Sequence, residues 1–317
     1  MSNSSSKQTV FVLGGTGKTG ASIVNGLLES DKYNVTLGVR PASLSKPEVL
    51  DFQKRGAEVR AVELTDAPDT LDAVLKGVDT VIFAAVFSEI DKQTLWADAS
   101  KRAGVKRFIP DDWATPCVRG VRKLFDQKAA VQDYIKSIGL GYTFIDVGLW
   151  AELSFPEDTE EPKATFIPSK SHRIVGSGNI KNAIIHTPDI GRFVAEIIAD
   201  SRTLNQYVFC WGDEKTQNEL WDIARKVKLE LTGEPLKATP IFETDELVRE
   251  RVRNAEDGSV EQLGSEYVLS FLVRGDNTVE NAKKPEYGGA LDARELYPHL
   301  KVTTAEEVAR ELYKQSA

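Results

Sequence analysis

The sequence predicts an α/β fold: a doubly wound parallel sheet followed by a smaller C-terminal α/β lobe. Three observations carry that expectation. A glycine-rich turn joins an apolar strand to a helix at Val10–Gly20, VFVLGGTGKTG. Apolar strands and helical segments then alternate through the first half, as in parallel sheets covered on both faces. Near Trp150 the alternation gives way to a proline- and acid-containing stretch.

The glycine turn is the first element. Val10, Phe11, Val12 and Leu13 read as a short buried strand, and Ala21–Leu28 (ASIVNGLL) resumes with helical period. Between them Gly14, Gly17 and Gly20 recur at three-residue spacing. Gly14 suits an unusual turn conformation, Gly17 lets a pyrophosphate approach the backbone, and Gly20 lets helix and strand pack closely. The helix N-terminus then offers N–H groups and a partial positive charge to phosphate. Thr16, Lys18 and Thr19 fill the remaining turn positions. This strand–turn–helix context makes the motif a dinucleotide site and the domain Rossmann-type.

The following elements take their order from the same pattern. Strands are expected at Asn34–Val39, Ala57–Val62, Thr80–Ala85, Arg107–Pro110 and Tyr142–Val147. Helices are expected within Pro41–Lys54 and at Thr70–Leu75, Thr94–Ala103 and Val121–Ile138. Phe155–Ser171, with Pro156, Pro162 and Pro168, reads as an extended crossing to a second lobe. Thr187–Ala199 is a helix that Thr187 or Asp189 would cap. Gln206–Cys210 is a strand and Asn218–Leu231 a helix. The domains are therefore 1–150, dinucleotide-binding, and 151–317, substrate-binding, with a segment around 183–200 packing back on the first.

Bulk composition excludes several classes. The chain has 317 residues, 41% of them hydrophobic, enough for a full core in two domains. Val81–Phe87 and the other apolar runs are too short to span a bilayer, so no membrane role is expected. Met1–Gln8 is polar, lacks a signal-peptide core, and reads as frayed. A cytoplasmic location is the expectation. Cys117 and Cys210 are too few for a disulfide framework, and with only 3 histidines they point away from zinc or triad chemistry; no metal is expected. A net charge of −8 argues against nucleic acid as a partner.

The second strand ends at Arg40, with Lys46 beyond and no acid until Glu48. An acid there would accept from the ribose 2′-hydroxyl of NAD, whereas arginine suits a 2′-phosphate. Arg40, assisted by Lys46 and Lys18, therefore selects NADP(H). Ala84, at the end of the fourth strand, and Phe87, just beyond it, complete the expected cofactor contacts.

The helix Val121–Ile138 holds the candidate for chemistry. At 100° per residue, Val121, Leu124, Phe125, Val131, Ile135 and Ile138 form one apolar arc. Lys128 falls in its middle, while Arg122, Lys123, Asp126, Asp133 and Ser137 lie off it. An unpaired lysine is costly to bury; this one either snorkels to an edge or points into a cofactor cleft, where it would serve proton transfer. The only Tyr-x-x-x-Lys pair, Tyr297–Lys301, lies far down the C-terminal lobe and outside the context a short-chain dehydrogenase needs.

With these pieces the chain resembles the isoflavone-reductase-like branch of the NmrA-like atypical short-chain reductases. That branch includes the isoflavone, pinoresinol–lariciresinol and phenylcoumaran benzylic ether reductases. The matching stretches are GGTGKTG, RFIP, FDQKAAVQDYI, YTFIDVGLW, GSGNIKNAIIHTPDIGRF, SRTLNQYVF and LYPHLKVTT, in family order over nearly the whole chain. The resemblance implies an NADPH-dependent reductase with Lys128, at the family's lysine position, as general acid/base. It also implies a small aromatic substrate, phenylpropanoid-, isoflavonoid- or lignan-like, or an enone or carbonyl compound. A monomer or homodimer is expected.

The chain departs from its plant relatives where they carry Ser-Glu-Phe-Gly after the fifth strand: here stands Asp111-Asp112-Trp113-Ala114. Lys18 replaces an aromatic residue frequent in their glycine turn. Asp112, Trp113, Trp150 and Phe155 are the expected substrate-pocket residues, with Phe87 at its apolar edge. The competing reading is a non-catalytic, NADP-binding redox regulator acting through a protein partner. A lysine in the cleft favours the enzyme.

Overall fold

The structure, a computed structural model, describes residues 7–314. Along the chain run β1 (Gln8–Leu13), α1 (Lys18–Ser30), β2 (Tyr33–Val39), α2 (Pro47–Lys54), β3 (Glu58–Ala61), α3 (Pro68–Val74), β4 (Thr80–Phe83) and α4 (Gln93–Arg102). Then come β5 (Arg107–Ile109), α5 (Lys123–Ser137), β6 (Thr143–Val147), β7 (Leu149–Trp150), β8 (Arg173–Val175), β9 (Asn182–Ile185), α6 (Thr187–Ile197) and β10 (Gln206–Cys210). The remainder is β11 (Asp213–Lys215), α7 (Gln217–Thr232), β12 (Ile241–Glu243), α8 (Asp245–Asn254), α9 (Val260–Val268), α10 (Val279–Ala282), β13 (Leu291–Asp292), α11 (Ala293–Leu296) and α12 (Ala305–Lys314).

The chain forms two compact units whose segments alternate along the sequence; the expected division was 1–150 and 151–317, with a segment around 183–200 packing back on the first. The first comprises Met1–Trp113, Gln127–Ile145 and Ile190–Val208; the second comprises Ala114–Asp126, Asp146–Asp189 and Phe209–Ala317.

A five-stranded parallel sheet in the order β3-β2-β1-β4-β5 centres the first unit. Its inner strands are apolar on both faces, with Val10, Phe11, Val12, Val81, Ile82 and Phe83 all fully buried. The order turns back at β1: β2 lies on one side and β4 on the other, which opens a crevice beyond their carboxyl ends. The start of β6 meets β5 through a single parallel bridge, Phe108 to Tyr142, so the expected sixth strand only begins to extend the sheet. The frayed end expected for Met1–Gln8 lies outside the described residues up to Ser6, and Gln8 already stands in β1.

The later segment Ile190–Val208 is held to this sheet domain by close backbone packing. A Cβ on Gly191 would lie 1.9 Å from the Ser22 carbonyl oxygen, and one on Gly26 would lie 2.2 Å from the Gly191 carbonyl carbon. Buried Arg107 on β5 donates to the Ile197 carbonyl (2.9 Å), Thr203 Oγ1 (2.8 Å) and the Asp200 carbonyl (3.0 Å).

In the second unit β11, β9 and β7 form one small sheet, and β12 pairs in parallel with β8. Its main core gathers Phe155, Leu220, Ala224, Val227, Val308 and Tyr313 around α7 and α12. Lys228 and Asp158, both nearly buried, pair at 2.8 Å. Both residues expected at the α6 cap are tied to other elements of this unit. Glu152 accepts from the Thr187 N–H and hydroxyl, both at 2.9 Å, while Asp189 accepts from the Thr303 N–H at 2.7 Å. Phe155–Ser171 is irregular and turn-rich, and lies wholly within this unit.

Arg122 corrects the wheel reading. It precedes α5, is 1% exposed, and donates to Thr115 Oγ1 and to the Thr115 carbonyl. Its guanidinium also lies 4.5 Å from the centroid of the Tyr267 ring. Helical periodicity does not govern a residue outside the helix.

Candidate active site

The turn after β1 is built from backbone. Gly14 has φ +74°, a left-handed conformation, and a Cβ there would sit 2.2 Å from the Ala84 carbonyl oxygen. A Cβ on Gly20 would sit 2.1 Å from the Gly14 carbonyl oxygen. Gly17 differs: φ is −75°, and a Cβ would meet only the Gly14 carbonyl oxygen at 3.5 Å, an ordinary contact. The protein therefore requires glycine at 14 and 20 for its own packing, and leaves space open at 17. Gly17 is the N-cap of α1 and no side chain caps that helix, so the first-turn N–H groups at Lys18, Thr19 and Gly20 lack intrahelical acceptors. Thr16, Gly17 and Lys18 are exposed; Thr19 and Gly20 are buried.

Sheet register brings the next residues alongside. Leu13 is opposite Gly38 of β2 and Phe83 of β4, and the Ala84 N–H donates to the Leu13 carbonyl at 2.9 Å. Ala84 thus lies against the glycine turn. Phe87 and Val86, just beyond, are 54% and 64% exposed. Arg40 caps the end of β2 and, like Lys46, is exposed. Neither makes an ion pair with a described residue. The residues present fit a phosphorylated dinucleotide: an open glycine position, an uncapped helix start and two exposed cations.

The turn after β5 is built from side chains. Lys128, on α5, is 7% exposed, and its Nζ donates to the Asp112 backbone carbonyl at 2.8 Å. Among the described residues no carboxylate lies within ion-pair distance of that amine. Gln132, one turn further along α5, donates from Nε2 to Asp112 Oδ1 at 2.9 Å, and its Oε1 accepts from the Tyr207 hydroxyl. Trp113 Nε1 donates to the Phe83 carbonyl at 2.8 Å, joining this turn to the end of β4. Asp111 is 6% exposed and its N–H donates to Gln93 Oε1 at 2.7 Å. Burial pushes its carboxyl above the usual range, and the charge of Lys128 partly offsets the push.

Asp112, Trp113 and Lys128 are thus brought together in the first unit, and Ala84 joins the glycine turn. Trp150, half-buried, and Phe155 belong to the second unit. Phe155 is 3% exposed and packs among Leu220, Ala224 and Tyr313, as a core residue does. Asp111, Gln132 and Tyr207 went unnamed as site residues. Asp111 and Asp112 are adjacent acids directly after a buried strand, and that was the available signal. Nothing local marks Gln132 or Tyr207. Among the described residues no cluster of three His, Cys, Asp or Glu side chains is placed to hold a metal ion, and no helix is long and apolar enough to cross a membrane.

Fold and site together define an α/β protein of the Rossmann type with a dinucleotide crevice at the carboxyl ends of its strands. The NmrA-like family pattern matches residues 6–309, and the chain belongs to that family. It is 36% identical to an asnovolin J 5′,6′-dehydrogenase of Aspergillus novofumigatus, covering 96% of this chain and 94% of the relative. It is 28% identical to a probable pinoresinol-lariciresinol reductase of Arabidopsis thaliana, covering 97% and 98%. Among solved structures, the fold matches one from a study of pinoresinol-lariciresinol and phenylcoumaran benzylic ether reductases with TM-score 0.80 at 23% identity, over 97% and 100% of the chains. It matches the leucoanthocyanidin reductase–NADPH complex from Vitis vinifera with TM-score 0.78 at 20% identity, over 96% and 99%.

Proposed function

We propose that this protein is an NADPH-dependent oxidoreductase acting on a small aromatic, enone or carbonyl substrate, with Lys128 as general acid/base. The observation that carries the reading is the buried Lys128 amine, tied to one backbone carbonyl and to no carboxylate. An ammonium has three N–H donors. One is spent on Asp112, which aims the group, and the others remain for a reacting oxygen.

When bound, the dinucleotide supplies the hydride. The chain's own residues do the rest. The glycine turn and the start of α1 would hold the pyrophosphate, and Arg40 with Lys46 would meet the 2′-phosphate. Trp113, anchored on Phe83, walls the crevice beside β4 and excludes water. Lys128 would donate a proton to the substrate oxygen, the charge-balancing half of a reduction. In the opposite direction its neutral amine takes that proton back. A residue that works in both directions suits a chain whose relatives are named both as reductases and as a dehydrogenase.

The test is NADPH oxidation, and NADP⁺ reduction for the reverse reaction, across a panel of phenylpropanoids, quinones, enones and their alcohols. Turnover of a panel member with strong preference for NADPH over NADH supports the reading. Tight NADPH binding without turnover of any member overturns it in favour of a regulator.

A further inference from the structure

Two acids stand side by side after β5, and their surroundings differ. Gln132 engages one oxygen of the Asp112 carboxylate, Oδ1, while Lys128 engages the Asp112 carbonyl and Oδ2 is buried. Asp111 is pinned through its backbone N–H to Gln93, yet no hydrogen bond from a described residue reaches its side-chain oxygens. The residue is 6% exposed. A buried carboxyl without hydrogen-bond partners costs free energy that a packed protein ordinarily avoids. Asp111 directly precedes Asp112, whose carbonyl accepts from Lys128 Nζ at 2.8 Å, so both residues stand at the carboxyl end of β5. Among the described residues the hydrogen-bonding capacity of the Asp111 side chain is unspent, and it follows β5 at the carboxyl ends of the strands, where the crevice lies.

We propose that Asp111 is a specificity-determining residue that hydrogen-bonds a substrate hydroxyl, so that the enzyme selects free phenols or alcohols over their methyl ethers. The inference rests on the proposed oxidoreductase site and deepens it. A hydroxyl both donates and accepts, so it pairs with the carboxyl in either protonation state. A methyl ether has no proton to donate and leaves an ionised Asp111 buried and unsatisfied, and sites built this way reject analogues lacking the group.

The experiment compares matched pairs of aryl enones, each with a hydroxyl in one member and a methoxy group in the other, at several ring positions. kcat/KM is measured with NADPH for wild type, Asp111→Ala and Asp111→Asn. Wild type should favour the hydroxyl member of at least one pair by about 10–100-fold, the usual worth of a charge-assisted hydrogen bond. Asp111→Ala should bring that ratio to within about threefold. Asp111→Asn, nearly isosteric and therefore a control for folding, should give an intermediate ratio, with NADPH affinity unchanged in both variants. A hydroxyl preference that survives Asp111→Ala overturns the assignment, as does equal use of both members of every turned-over pair by wild type. Where aryl enones are not turned over, the hydroxyl/methoxy pairs are drawn from the substrate class that is, with the same outcomes; absence of turnover across the whole panel is a different result, which removes the oxidoreductase reading and the inference with it.

Discussion

The turns after β1 and β5 open onto the same end of one sheet, and they are made of different materials. The first is backbone: Gly14 and Gly20 are dictated by carbonyl oxygens 2.2 and 2.1 Å from where a Cβ would stand. The second is side chain: Lys128, Gln132, Asp111, Asp112 and Trp113 define it through hydrogen bonds and burial. A backbone cradle suits a ligand part that never varies, such as a pyrophosphate. A side-chain cluster changes with single substitutions, and suits the part of the reaction that distinguishes one family member from another.

Substitutions within the first turn break this contrast most sharply. Gly17→Val should abolish NADPH binding in a protein that still melts cooperatively, because protein atoms leave room at that position and a pyrophosphate would not. Gly20→Ala should fail earlier, with little folded protein, since its Cβ collides with the Gly14 carbonyl. Normal NADPH affinity in folded Gly17→Val would place the dinucleotide elsewhere.

In the second turn Lys128→Ala should lower turnover by about 10²–10⁴, the worth of a positioned proton-transfer group, with NADPH affinity nearly retained. Lys128→Arg should rescue poorly, because a guanidinium stays protonated. Survival of turnover within a few-fold of wild type would reduce Lys128 to a packing residue. Arg40→Ala should weaken NADPH more than NADH by about 1.5–3 kcal/mol, one charged hydrogen bond. Equal losses measured by titration would remove Arg40 from 2′-phosphate recognition.

A smaller effect follows from Asp111. Its folded value is raised, so its contribution to stability is fullest below the ordinary carboxylate range and is lost as pH rises through the raised value. Asp111→Asn should therefore gain stability relative to wild type as pH rises from the acid range toward neutrality, read by denaturant melts at several pH values. A constant difference would mean that the carboxyl does not titrate differently on folding. Smallest is Tyr207→Phe, which removes the hydroxyl hydrogen bond to Gln132 and should cost about 0.5–1.5 kcal/mol in stability. A loss of turnover as large as that of Lys128→Ala would instead show that the Tyr207–Gln132–Asp112 chain aims the lysine.

The same contrast governs what the sequence disclosed. Val10–Gly20 is local: strand, turn and helix are contiguous, so spacing alone carried the dinucleotide reading. Lys128 was legible because helical periodicity marks a charged residue on an apolar arc. Gln132 and Tyr207 were not, since their partnership joins positions 75 residues apart. Arg122 was misread because α5 begins only at Lys123, so the wheel was extended past the helix. The domain organisation was legible in part. The expectation that a segment around 183–200 packs back on the first domain meets Ile190–Val208 in the first unit, whereas the passage of Ala114–Asp126 to the second unit has no local mark in composition.

Arg107 draws a temporal consequence from that return. Its guanidinium is completed by carbonyls and a hydroxyl 90 to 96 residues further along the chain. On a ribosome adding about 5–20 residues per second, strand β5 waits roughly 5–20 s before those acceptors exist. During that interval the nascent sheet carries a cation at a site destined to be dry, which favours an open, hydrated edge over premature closure. Slower translation through residues 108–203 would lengthen that interval without altering the stability of the finished protein.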